Sequence, residues 1–195
     1  MLEGAAMRKG WFIIPGMQDG DRTLEQQVEA LRPAIAECAG KTVLDIGCAE
    51  ALVTREFILG GAVRAFGVDA VPDHLEVARG ICKGLPVEFA LAKLGTDPMP
   101  KSPFGDKTYD IVLALGVAHK LPLPEVGITI AAQMSHGLVL LRSGVRQQGG
   151  IITAKRHPKN TCDAHALMRL HGFALEKVVP GPAPFHESVE YWRKQ

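Results

Sequence analysis

Two aspartates stand where apolar runs end and helical patterns begin, and they are the residues of this sequence best placed to do chemistry. The first opens Asp45-Ile46-Gly47-Cys48-Ala49-Glu50-Ala51, directly after the run TVL. Gly47 permits a tight turn, and the helix pattern after it aims free N–H groups and a partial positive charge at whatever lies above them. The second, Asp69, ends VRAFGVD. Its carboxylate can accept hydrogen bonds from both hydroxyls of a ribose. Together they suit an adenosine ligand.

Other groups offer further chemistry, each with a plainer alternative. His119, in Gly116-Val117-Ala118-His119-Lys120, follows a later apolar run. An imidazole with an ordinary pKa of about 6.5 can act as a general base on a hydroxyl or amine, or simply pack at a helix entry. Between Glu125 and Asp163 there is no carboxylate side chain, whereas Arg142, Arg146, Lys155, Arg156 and Lys159 fall there with His136 and His157. A carboxylate, a phosphate or an RNA backbone would find partners in that stretch, and a solvated basic face is the alternative. Trp11, Phe12 and Arg22, in WFIIPGMQDGDRT, can form a lid over a ligand or anchor a loose terminus. His157, Cys162, Asp163 and His165 match no zinc spacing, so no metal is assigned. Cys48 lies inside the first turn, where a helix N-terminus lowers a thiol pKa, although a small apolar filler is the simpler role.

The elements that must hold these residues alternate in type. Thr23 with Gln26 forms a capping box before Leu24, Val28, Leu31 and Ile35 at helical spacing, with Pro33 dividing the segment and Gly40 ending it. TVLDIG is a strand, and AEALVTREFILGG a helix closed by two glycines. VRAFGVD and PDHLEVARGICKG repeat the unit, with Leu75, Ala78 and Cys82 on one helix face. VEFALA is a third strand, followed by a Pro/Gly-rich loop through KSPFGDK. YDIVLALG, a helix from Pro124 to about Ser135, and LVLLR continue the alternation. Asn160 or Thr161 is the expected cap of a helix carrying Ala164, Leu167 and Met168, with Gly172 at its end. FALEKVV and SVEYWRK have no helix between them and pair antiparallel. The expected fold is α/β: a doubly wound, mainly parallel sheet with helices on both faces and a C-terminal antiparallel hairpin.

Composition bounds the alternatives. With 195 residues, 47% apolar and 22% charged, the chain can bury a core without staples, and one domain is expected over 1–195: an N-terminal helical or lid segment (1–40) and a Rossmann-like core (41–195). A net charge of +1 argues against nucleic-acid binding through the overall field, though not through a local patch. Cys38, Cys48, Cys82 and Cys162 are scattered, as free thiols in a reducing cytoplasm would be. The apolar run before Pro15 is too short for a signal-peptide core, and no run has the roughly 20 apolar residues of a membrane span.

VLDIGCAEA…GVDAVPDHLEVAR resembles the opening of class I S-adenosylmethionine (SAM) dependent methyltransferases, in which an acidic-x-Gly-x-Gly-x-Gly loop follows the first strand and an acidic residue ends the second. YDIVLALGVAHKL resembles the family's fourth-strand motif, and HGFALEKV…VEYWRK its closing hairpin. The resemblance implies a seven-stranded sheet and SAM as cofactor, with Asp45 and Gly47 at its methionine end and Asp69 on its ribose. Cys48, Ala49, Ala70, Lys93 and Leu115 complete the cofactor residues implied, and His119 lies where an acceptor would meet the sulfonium. Ala49 and Ala51 replace two family glycines, which a ligand without pyrophosphate tolerates. Lys93 stands about where an acidic residue often accepts from the adenine amino group, a role an ammonium cannot fill. The function implied is methyl transfer to oxygen or nitrogen of a small-molecule or anionic acceptor. A non-catalytic member of the fold and an RNA methyltransferase using residues 142–159 are the alternatives.

Overall fold

A short parallel pair, β1 (Arg8–Lys9) and β2 (Gln18–Asp19), precedes the first helix in the structure, a computed structural model that describes residues 8–142 and 150–195. Arg146 lies outside the described residues. Thr23 caps the helix: its hydroxyl accepts from the Gln26 amide, and the Gln26 side chain accepts from the Thr23 amide. Pro33 divides the helical segment. The chain runs through α1 (Leu24–Val28), a 3-10 turn over Glu29–Leu31, and α2 (Arg32–Ala36), whose first turn holds Pro33 where no amide is required.

Strand and helix then alternate through β3 (Thr42–Ile46), α3 (Leu52–Leu59), β4 (Arg64–Asp69), α4 (Pro72–Ile81), β5 (Val87–Leu91), β6 (Tyr109–Leu115), α5 (Pro124–Gln133) and β7 (Ser135–Arg142). The chain continues with β8 (Ile151–Thr153), β9 (Thr161–Asp163), α6 (Ala164–Leu170), β10 (Phe173–Val179) and β11 (Val189–Lys194). The main sheet has seven strands in the order β10-β11-β7-β6-β3-β4-β5. From β7 to β5 the pairs are parallel, and β11 is antiparallel to both β7 and β10.

Alternation along each strand decides which helices cover which face. Val43, Ile111, Leu113, Leu138, Leu140 and Tyr191 pack with residues of α1 to α4. Leu44, Ile46, Val112, Val139, Leu141 and Trp192 pack with residues of α5 and α6. Both faces are therefore apolar, as a parallel sheet covered on two sides requires. The order reverses between β3 and β6, which opens a crevice above their carboxyl ends, and the residues just after β3, β4 and β6 face it.

The structure corrects three expected boundaries. The cap of α6 is Asp163, whose carboxylate accepts from the Ala166 amide at 2.9 Å, not Asn160 or Thr161. Thr161 belongs to β9, paired with β8 as a small antiparallel ladder, and the Asn160 amide instead donates to the Pro122 carbonyl at 2.7 Å. Three-residue strands are too short to show a period in sequence. The fifth main-sheet strand starts at Ser135, directly after α5, because Tyr109 already pairs there.

Candidate functional site

The turn after β3 is built by backbone. Gly47 takes φ +76°, and the amides of Gly47 and Cys48 both donate to the Val68 carbonyl of β4, at 2.7 and 3.1 Å. A Cβ on Gly47 would stand 3.1 Å from Val117 after β6, so the residue closes the crevice tightly. Ala49 and Ala51 keep left-handed backbones, with φ 49° and 59°. The loop thus holds a glycine-type conformation on two alanines, at a cost of about 1 to 2 kcal/mol each.

Asp69 sits at the head of β4 with its carboxylate already cradled. One oxygen accepts from the Ala49 amide and the other from the Val71 amide, each at 2.9 Å. The residue is 9% exposed. Burial works to raise its pKa, but His74 and the two amides outweigh it, so the carboxyl lies below the usual range. Further lone pairs remain for two hydroxyl donors.

The cradle opens onto a cavity of about 390 Å³, within the range that encloses small ligands. Gly47, Ala49, Asp69 and Ala70 form one wall, and Leu115, Gly116, Val117 and Lys120 another. Val71, Ala92, Leu94 and Val126 supply apolar surface, and Trp11 lies on the wall as well. Lys93 contributes to the rim, where its amide donates to the Asp97 carboxylate at 2.7 Å and its carbonyl accepts from the Thr96 hydroxyl at 2.9 Å. The residues present fit an adenosyl compound: a carboxylate with lone pairs to spare stands beside apolar surface from Val71, Ala92, Leu94 and Val126.

Three of the residues expected at the site stand behind its wall rather than on it. Asp45 is 3% exposed, and its carboxylate accepts from the Thr54 hydroxyl of α3 at 2.6 Å. Its side chain falls on the α3 face of β3, because neighbouring residues of a strand point to opposite faces. Burial pushes its pKa up to about 7, against the Thr54 hydrogen bond and helped by the charge of Asp69. Cys48 is buried with its thiol raised by burial, and a Cβ on Gly67 would lie 2.9 Å from its sulfur. Gly67 makes room for that thiol, which is a filler. His119 lies in the 3-10 turn Ala118–Lys120, with its Cε1 3.8 Å from where a Cβ on Gly116 would stand. The next residue, Lys120, takes the wall position.

Long-range contacts add residues that no local pattern in the sequence reveals. Glu50 is fully buried and accepts from the Trp11 amide at 2.8 Å, the Phe12 amide at 3.2 Å and the Gln18 side chain at 2.9 Å. The N-terminal segment is thereby strapped to the loop after β3. Phe12 enters the core, which anchors the segment, while Trp11 lines the cavity. His74, in the first turn of α4, lines the cavity between Asp69 and Glu50. Its only signal in the sequence is a histidine one turn beyond a strand-ending aspartate.

The cations form a second group near Trp11. Lys120 Nζ lies 4.1 Å over the Trp11 ring. Its pKa is lowered by burial and by the charges of Lys155 and Arg22, with Asp69 and Glu187 acting against them. Arg22 stacks 3.3 Å over the Phe185 ring and pairs with Glu187 at 3.1 Å. Arg142 is not part of a solvated basic face: it is 4% exposed and donates twice to Gln27 at 2.6 Å. Burial pushes it down to about 10. His157, Cys162, Asp163 and His165 do not converge, and among the described residues no group of three or more such side chains could hold a metal.

Residues 43–136 match the family described as methyltransferase domain. The match spans just under half of the chain and supports a class I SAM-dependent methyltransferase domain. Over 92 residues it is 36% identical to human methyltransferase-like protein 27, and over 109 residues 30% identical to the ribosomal protein L11 methyltransferase of Edwardsiella ictaluri. These matches take in 45% and 56% of this chain, but only 36% and 35% of the two relatives. Among solved structures, magnesium protoporphyrin IX methyltransferase of Synechocystis, with bound SAM, superposes with a TM-score of 0.68 at 16% identity, covering 91% of this chain and 86% of that one. At that identity the likeness establishes the methyltransferase fold. Among the described residues no helix is long and apolar enough to cross a membrane.

Proposed function

We propose that this methyltransferase domain binds SAM in the cavity above β3, β4 and β6 and transfers its methyl group to oxygen or nitrogen of an anionic small molecule. The observation that carries the reading is the cradled Asp69 carboxylate facing a cavity of about 390 Å³ that Gly47 and Ala49 also line. Asp69 holds the ribose hydroxyls, and Val71, Leu94 and Val126 enclose the base. Gly47, Leu115 and Gly116 border the methionine end, with Asp45 acting from behind through the loop. SAM supplies an activated methyl on a sulfonium.

The chain's own contribution is to align and shield. Trp11 lines the cavity and shields that side of it from water, which favours in-line approach of a held acceptor. Lys120, on the cavity wall beside Trp11, is a cation with no carboxylate in ion-pair contact among the described residues, and it suits a carboxylate or phosphate on the acceptor. No base is assigned to the chain. His119, behind the wall, supports the Gly116–Lys120 turn. Replacing it with alanine is expected to reduce turnover less than about tenfold, where loss of a general base costs about 10²- to 10⁴-fold.

Calorimetry with SAM and S-adenosylhomocysteine (SAH) tests the reading. Saturable binding of one equivalent of each is expected. No binding of either at millimolar concentration would leave a non-catalytic member of the fold.

A further inference from the structure

We propose that His74 is a positioning residue that ties the Asp69 carboxylate to the Glu50 anchor of the N-terminal strap, so that a proton on its imidazole and an adenosyl compound in the cavity favour one another. The proposal rests on the reading that Asp69 holds the ribose. His74 Nδ1 lies 3.5 Å from Asp69 Oδ1, and Nε2 lies 3.7 Å from Glu50 Oε1. These are ion-pair distances at the outer edge of hydrogen bonding, and Nδ1 is buried without a well-aligned acceptor. A small movement therefore converts both contacts into charge-assisted bonds.

The two carboxylates differ in what else they do. Asp69 binds the loop and the head of α4 through the Ala49 and Val71 amides. Glu50 binds the strap through Trp11, Phe12 and Gln18. Among the described residues, His74 is the side chain that reaches both. A neutral imidazole carries one N–H and can donate to only one of them, whereas the imidazolium donates to both.

The charged groups facing His74 are Asp69 from β4, Glu50 from the loop after β3, and Lys120 from the turn after β6. Asp69 raises the His74 pKa above 6.5, burial opposes that, Glu50 adds to the rise, and Lys120 works against it. An adenosyl compound in the cavity displaces water from Asp69 and His74 together. The His74 side chain is only 23% exposed before binding, so covering it removes little further hydration, while the pull of two anions grows in the drier site. Linkage makes the effect reciprocal: whatever SAH does to the His74 proton, the proton does to SAH.

The test follows the His74 ring by NMR through a pH titration of the full chain, with and without SAH, alongside SAH calorimetry from pH 6 to 9. The expected midpoint lies above 6.5 and rises with SAH. A rise of about one pKa unit corresponds to about tenfold weaker SAH binding at the alkaline end. In His74→Gln that component is expected to vanish, leaving only the titration of SAH itself, which both proteins share. Glu50→Gln is expected to lower the midpoint, and the NMR titration of the parent needs no variant at all. An unchanged or lowered midpoint with SAH overturns the proposal, as does one pH curve common to parent and His74→Gln. If SAH binds at no pH, the cofactor reading itself fails and takes this proposal with it.

Discussion

Asp45 and Asp69 end neighbouring parallel strands, yet the structure gives them opposite environments. Asp69 faces the cavity, receives two backbone amides, lies 3.5 Å from a His74 ring nitrogen, and is held ionised. Asp45 faces α3, receives one hydroxyl, and is driven toward the neutral form, at about pKa 7. The difference comes from the period of two along a strand and from which loop donates amides, not from residue type. One carboxylate opens onto the cavity. The other ties α3 to β3 behind it.

That contrast can be broken most strongly through pH. A carboxyl whose pKa is raised on folding favours the folded state below its unfolded value, and the benefit is lost as pH rises toward 7. Asp45→Asn keeps a partner for Thr54 and removes the charge. It is expected to be more stable than the parent at pH 8 by roughly 2 to 4 kcal/mol, with the gain shrinking toward pH 4. Urea denaturation at both pH values measures this, and equal stability at pH 8 would contradict the burial argument.

The same change at the other strand should have the opposite sign. Asp69→Asn offers only one oxygen to two amides, so one donor is left facing an NH₂ group. A loss of about 1 to 3 kcal/mol at pH 7 is expected in the same assay. The lowered pKa adds that the Asp69 contribution is present above its unfolded pKa and disappears as pH falls through the folded one. Should Asp69→Asn stabilise, the cradle is not what holds the loop.

Smaller effects sharpen the loop itself. Gly47→Ala places a methyl 3.1 Å from Val117 on a left-handed backbone, and a cost of about 1 to 2 kcal/mol is expected by thermal denaturation, together with weaker SAH binding. Ala51→Gly relieves the same backbone but frees the unfolded chain and removes a fully buried methyl, so a net change within about 0.5 kcal/mol is expected. A large loss there would mean that the methyl is an essential part of the packing.

The strand and turn geometry around Asp45 and Asp69 was legible in sequence because it is local. Strand, glycine turn and helix follow one another at Asp45–Ala51, and Asp69 ends its own strand, so period and punctuation reveal both. The Thr23–Gln26 capping box, the division at Pro33 and the closing hairpin were legible for the same reason. The parts beyond reach are held by contacts between distant segments. Trp11 becomes a wall only through Glu50, and Arg142 leaves the basic stretch only because Gln27 receives it. The position of Asp45 behind the loop followed from strand alternation, but a resemblance that names the residue does not say which way it points.

The most direct measurement is SAH affinity of the parent and of Asp69→Ala by calorimetry at pH 7, with circular dichroism to confirm that both are folded. On the proposed reading Asp69 holds two ribose hydroxyls, so its removal should weaken binding at least tenfold, roughly the worth of one charge-assisted hydrogen bond. A folded Asp69→Ala that binds SAH as tightly as the parent would contradict the account.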